Sequence, residues 1–306
     1  MTTLLSGIYT ASLTPITSQY EPNLPALVDH VEQLFELGSD GVAILGSTGE
    51  ASSLSIEQRI DIISYCGEKL NPERLLIGTG SCSIKDATRL TRASIDAGIF
   101  QVLVIPPYYY KPQSDEGILR YYSELISSLN ESRLRVIFYN FPKLSGYNFS
   151  VEILQELKMR LGNIAAGIKD SSGDWEHMLK ITKNISEFMV FSGTETFLLE
   201  ILRAGGAGCI SASANLLAPE CQMVYQFWKK GEQEFAEKYQ EKLSALRKVL
   251  ETYPFVSELK GLLNQQDQSK HWRHMLAPFT PLMESEIKEI LKRLNNHGLD
   301  LSNRIR

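Results

Sequence analysis

The run Gly167-Ile168-Lys169-Asp170-Ser171-Ser172-Gly173-Asp174 follows the apolar triplet Ile164-Ala165-Ala166. Apolar residues, a lysine and then a small polar turn leading to Trp175 predict a short buried strand that ends on Lys169 and hands over to a helix. Under two-residue alternation Ala165, Gly167 and Lys169 share one face of that strand. Small neighbours leave room for a lysine stem and head inside a closed barrel. Most lysines at strand ends reach water instead, so the weight of this stretch depends on what surrounds it.

Working outward, the same beat of short apolar strand, turn and amphipathic helix repeats along the chain. Strands are predicted at 8–15, 42–45, 75–78, 102–105, 136–139, 164–169, 189–192 and 209–211. The helices that follow them fall at 23–37, 55–70, 84–97, 115–129, 151–159, 175–185, 197–204 and 219–229, the last opening on Pro219. Eight strand-helix units in about 230 residues are the number that closes a parallel sheet into a (β/α)8 TIM barrel. A doubly wound open sheet is disfavoured, because no G-x-G-x-x-G follows the first strand.

Three more helices are predicted at 232–253, 255–263 and 283–294. They have no strands of their own, so residues 231–306 read as a C-terminal helical extension packed on a catalytic barrel of residues 1–230. The glycine-rich Gly205-Gly206-Ala207-Gly208 precedes the eighth strand and reads as a tight helix-to-strand turn.

Composition narrows the classes of function. Apolar residues make up 43% of the 306 and charged residues 22%, which is core material without a disorder signature. The net charge of −5 and the lack of a basic stripe argue against nucleic acid as a partner. The start, Met1 to Gly7, has no charged segment followed by a long apolar core, and no apolar run reaches membrane-spanning length. A cytoplasmic location is expected. Cys66, Cys82, Cys209 and Cys221 form no C-x-x-C pair; Cys66 and Cys209 read as small core residues, and no disulfide framework is expected.

In a barrel of this kind the loops after the strands form the active face. Lys169 ends the sixth strand, Tyr139-Asn140-Phe141-Pro142 the fifth, Pro106-Pro107-Tyr108-Tyr109-Tyr110 the fourth and Gly46-Ser47-Thr48-Gly49-Glu50 the second. A lysine amine attacks a carbonyl carbon only when neutral, and an apolar enclosure favours that form by desolvation. Tyr139 shares the inward face of its strand with Ile137, one strand away from Lys169, and a phenol there can shuttle protons. Ser47 or Thr48, with Tyr109, are the hydroxyls that would connect to it. The glycines of the second turn let the amides of Ser47 and Thr48 cup a carboxylate. Histidines and carboxylates do not cluster at strand ends, so no metal is expected.

Together these motifs resemble, in order and spacing, the dihydrodipicolinate synthase/N-acetylneuraminate lyase family, and the similarity runs from Gly7 to about Leu294. The resemblance implies a class I aldolase mechanism with a covalent lysine–pyruvate imine at Lys169 and no separate cofactor. It implies Tyr139 as the catalytic phenol, Ser47 and Tyr109 as its relay, with Tyr109 reaching across a dimer contact, and the amides of Ser47 and Thr48, beside Gly46 and the backbone of Ile210, as the carboxylate cradle. It also implies a homotetramer built as a dimer of dimers.

One departure separates the chain from the synthases. Where they carry an arginine for the carboxylate of aspartate semialdehyde, this chain has Leu144, a change that disfavours a charged second substrate. Neuraminate lyases place an Asp-Glu pair after the seventh strand, and Gly193-Thr194-Glu195-Thr196 keeps one acid there, Glu195. The tyrosine and lysine motifs are also similar to those of 2-keto-3-deoxygluconate aldolases. The leading expectation is therefore reversible cleavage of a 2-keto-3-deoxy sugar acid to pyruvate and an aldehyde. The alternatives are 4-hydroxy-tetrahydrodipicolinate synthase activity, dehydration of a keto-deoxy acid, and a non-catalytic barrel that binds a keto acid.

Overall fold

Apolar runs of four to six residues, too short to bury themselves, close on one another in chain order. The strands are β1 (Gly7–Ala11), β2 (Gly41–Ile44), β3 (Leu75–Gly78), β4 (Gln101–Val104), β5 (Arg135–Asn140), β6 (Ala165–Asp170), β7 (Met189–Ser192) and β8 (Gly208–Ser211). Each pairs in parallel with the next, and β8 returns to β1, giving a closed (β/α)8 barrel in the computed structural model. The structure describes residues 5–266 and 271–301, so residues 1–4 of the expected start lie outside it.

Helices α1 (Leu24–Glu36), α2 (Ile56–Lys69), α3 (Ile84–Asp96) and α4 (Asp115–Ser127) follow the first four strands. A short α5 (Pro142–Ser145) and then α6 (Val151–Leu161) follow β5, with α7 (Trp175–Asn184), α8 (Leu198–Arg203) and α9 (Ala214–Lys229) after the last three. The helices begin where the sequence offers a cap. Ser55, Ser83, Ser114, Ser150 and Asp174 each accept a hydrogen bond from an amide of the first turn. Asp174 thereby fixes the turn just beyond Lys169.

Two expectations about these elements change. Helix α9 starts at Ala214, five residues before Pro219, which sits inside it. The loss of one backbone bond at proline is offset because Ala214, Leu216, Leu217, Ala218 and Cys221 are buried. In β6 the alternation slips: Val136 pairs with Ala165 but Ile137 pairs with Gly167, so one step on β5 matches two on β6. Ala165 consequently packs outward with Val136 and Ile168, while Ala166 joins the cluster that fills the lumen. Gly167 and Lys169 keep the inward phase, paired with Ile137 and Tyr139.

The lumen is closed by Tyr9, Leu76, Leu103, Ile137, Phe191 and Ile210. Three further apolar clusters lie between sheet and helices. One of them unites β1 and β8 residues with α10 (Gln233–Val249), α11 (Phe255–Gln266) and α12 (Glu284–Asn296) through Ile8, Cys209, Leu243, Leu246, Leu259 and Ile290. At about 1.5–3 kcal/mol for each large apolar side chain buried, this contact fixes the tail helices to the barrel. Gln240 of α10 adds polar stitches: its side-chain amide donates to the carbonyls of Glu195 at 2.9 Å and Thr196 at 3.2 Å, and its oxygen accepts from the Leu199 amide at 3.0 Å.

Candidate active site

Lys169 and Tyr139 sit opposite each other in register on adjacent strands, both pointing into the barrel. Lys169 is 5% exposed and Tyr139 6%. The lysine Nζ lies 4.5 Å from the centroid of the tyrosine ring, within reach of its π face. Above them opens a cleft of about 490 Å³ that Ser47, Thr48, Ser171, Gly193 and Thr194 also line. Such a volume holds a small organic substrate, and its lining mixes hydroxyl groups with the one buried amine.

A locked pair of strand ends keeps the lysine in place. The Asp170 carboxylate accepts from His177 Nδ1 at 2.6 Å, from Asn140 Nδ2 at 3.2 Å and from the Ser172 amide at 2.8 Å. His177 Nε2 donates to the Phe149 carbonyl at 2.6 Å. Both ring nitrogens of His177 thus face acceptors, which requires the doubly protonated ring. Burial alone would pull its pKa down, but the hydrogen bond and charge of Asp170 with the Phe149 carbonyl raise it. The last residues of β5 and β6 are tied together next to Tyr139 and Lys169.

The turn after β2 is strained at both ends. Leu45 and Glu50 adopt φ of 61° and 56°, a left-handed conformation that costs a non-glycine residue about 1–3 kcal/mol. Within the turn the amides of Gly49, Glu50 and Ala51 donate to the carbonyls of Gly46 and Ser47. The amides of Ser47 and Thr48 have no protein acceptor among the described residues, so they are free for an anion. The tail holds this shape. Glu50, buried, accepts from Lys260 Nζ and, at 2.6 Å, from the Leu276 amide, while Lys260 also donates to the His274 carbonyl at 3.1 Å. Burial lowers the pKa of Lys260 against the pull of Glu50. The role of Glu50 and Lys260 was not legible in the sequence, because 210 residues separate them.

Other expected site residues are placed differently from one another. Gly193 and Thr48 line the large cleft; Gly46 and Leu144 line a neighbouring apolar cavity of about 250 Å³, and Ser47 and Tyr139 line both. Ile210 is fully buried in the lumen. Tyr109 is 75% exposed, packed edge-on against Tyr110, and lines neither cavity within one chain. Glu195 does not line the cleft. It is fully buried and accepts hydrogen bonds from Ser211 and Ser213 and a 3.1 Å ion pair from Arg247 of α10. Arg247, inside the helix expected at 232–253 and given no role there, lines the cleft instead, as do Lys143, Lys248 and Glu251.

A buried lysine and tyrosine under free backbone amides, at the C-terminal mouth of a (β/α)8 barrel, define a barrel enzyme suited to small carbonyl compounds. The chain belongs to the dihydrodipicolinate synthetase family, whose model matches residues 4–297, and is a carbon–carbon lyase. Among its relatives are an uncharacterized DapA-like lyase of Chloroflexus aurantiacus, 31% identical over 92% of this chain and 93% of that protein, and the 4-hydroxy-tetrahydrodipicolinate synthase of Bacillus subtilis, 30% identical over 92% and 95%. The barrel superimposes on that of YagE, a prophage protein of the same family from Escherichia coli K12 solved with pyruvate, at a TM-score of 0.88, with 28% identity and coverage of 97% and 100% of the two chains. A Sulfolobus solfataricus 2-keto-3-deoxygluconate aldolase variant shares the fold at a TM-score of 0.84, with 22% identity and 95% of each chain covered. Among the described residues no helix is long and apolar enough to cross a membrane, and no three His, Cys, Asp or Glu side chains gather as a cation site.

Proposed function

We propose that the chain reversibly joins pyruvate and an aldehyde through a covalent imine on Lys169. The observation that carries this reading is the buried Lys169 amine set 4.5 Å from the Tyr139 ring at the base of a substrate-sized cleft. The neutral amine adds to the ketone carbon of pyruvate and water leaves. The resulting iminium draws electrons from the adjacent carbon, which gives up a proton and attacks the aldehyde; hydrolysis then releases the longer keto acid and the free lysine. No separate cofactor is needed, because the imine itself is the electron sink.

In this reading the amides of Ser47 and Thr48 bind the pyruvate carboxylate, and Tyr139 moves protons to and from the forming alcohol. Tyr109, exposed here, completes the hydroxyl relay of a neighbouring subunit in a homotetramer. The product of joining is a 2-keto-3-deoxy sugar acid. A screen of such acids for pyruvate release, in a coupled assay, tests the reading; at least one should be cleaved, and cleavage no faster than by Lys169→Ala would contradict it.

A second reading has an observation of its own. Leu144 removes one cation from the loop after β5, but Lys143 and Arg247 line the cleft, and a relative is a 4-hydroxy-tetrahydrodipicolinate synthase. Turnover of pyruvate with aspartate semialdehyde, measured against the Lys169→Ala background, decides between the two.

A further inference from the structure

The rim of the large cleft is finished by charged groups from outside the eight strands: Lys143 of α5, Arg247 and Lys248 in the last turn of α10, and Glu251 just beyond it. Arg247 is the one held rigidly. Its side chain is 12% exposed. Nη1 donates to Glu195 at 3.1 Å and to the hydroxyls of Ser211 and Ser213 at 3.3 and 3.4 Å, and Nε donates to Glu251 at 2.9 Å. The guanidinium face covers the Phe255 ring, with Cζ 4.3 Å from its centroid. Nη2 has no partner among the described residues.

This arrangement fixes one edge and one face of the guanidinium and leaves the other nitrogen open. Glu195 cannot compete for a ligand, since it is fully buried behind Arg247 and already accepts two hydroxyls. Three cations against the carboxylates of Glu195 and Glu251 leave the rim with an excess of positive charge, Lys169 not included. A preorganised guanidinium with free N–H groups is suited to an anion in a way that a mobile surface lysine is not.

We propose that Arg247 determines the specificity of the second substrate, and that the aldehyde carries an acidic group, a carboxylate or a phosphate, which binds at Nη2. Glu195 is then a positioning residue for Arg247 and does not touch the substrate. The inference rests on the keto-acid reading above, and it narrows the sugar acid to one with acid at both ends.

The test uses full-length protein in which pyruvate has been reduced onto Lys169 with borohydride, so that the first half of the site is filled and no chemistry follows. Calorimetric titration compares 4-hydroxybutyrate with 1,4-butanediol, and glycerol 3-phosphate with glycerol. At least one acidic probe should bind about tenfold or more tightly than its neutral partner, and the pair showing the larger ratio identifies the acid. Arg247→Met should abolish that ratio by weakening the acidic probe alone, with Arg247→Lys restoring part of it. Equal binding of acidic and neutral probes by the wild type, or an equal loss of both in Arg247→Met, would overturn the inference. Should Arg247→Met not fold, Arg247→Lys, which keeps the charge and loses the fixed planar fork, should still lower the wild-type ratio, and an unchanged ratio in Arg247→Lys would overturn the inference. Failure of pyruvate to reduce onto Lys169 would be a failure of the parent reading, seen before any titration begins.

Discussion

Tyr139 is the residue whose removal separates chemistry from binding. Tyr139→Phe keeps the ring over which the Lys169 amine sits and takes away the phenol, so kcat should fall by about 10²–10⁴ while pyruvate still becomes attached to Lys169. Steady-state kinetics together with imine trapping check both halves. His177 gives a second prediction through pH. Its raised pKa means that its pairing with Asp170 contributes fully to stability below about 6.5, the ordinary histidine value, and that the contribution is lost as pH rises through the higher folded value. Urea unfolding of wild type and His177→Ala should differ more at about pH 6 than at about pH 9. At this scale the sequence singled out Lys169 and Tyr139, which line one cleft, because each ends an apolar run. It could not identify Arg247, whose meaning depends on Glu195, Ser211 and Ser213 far back in the chain.

Among the elements, the turn after β2 shows how a strained segment is held by a distant one. The buried pair of Glu50 and Lys260 joins that turn to α11. Lys260→Met would leave the Glu50 carboxylate buried and unpaired, a loss of about 3–5 kcal/mol by analogy with other buried pairs. Chemical denaturation should show it, and Glu50→Gln in the same chain should recover much of the difference, because no orphan charge then remains. Element positions were legible wherever periodicity was clear: β3 and β7 fall at the expected residues, and α2 opens at Ile56, beside the expected start at Ser55, which turns out to cap it. Two features escaped because they override local rules. The extra residue of β6 shifted Ala165 to the outer face, and burial of the first turn of α9 outweighed the usual place of proline at a helix start.

Over the whole molecule, the closed barrel was legible because eight evenly spaced strand-helix units match the number that closes a parallel sheet, and no dinucleotide-binding turn follows the first strand. The completed site was not readable in the same way. Its base comes from β5 and β6, but its rim comes from α10, and the β2 turn is fixed from α11. Those contacts join residues tens to hundreds apart, and no local pattern encodes them. The barrel supplies the amine and the phenol, and the tail lines the approach to them. All of this depends on Lys169 forming an imine. Borohydride reduction in the presence of pyruvate, followed by peptide mass mapping, measures that directly. A three-carbon addition at Lys169, absent when pyruvate is omitted, is the expected result; no addition, or addition only at other lysines, would contradict an imine at Lys169.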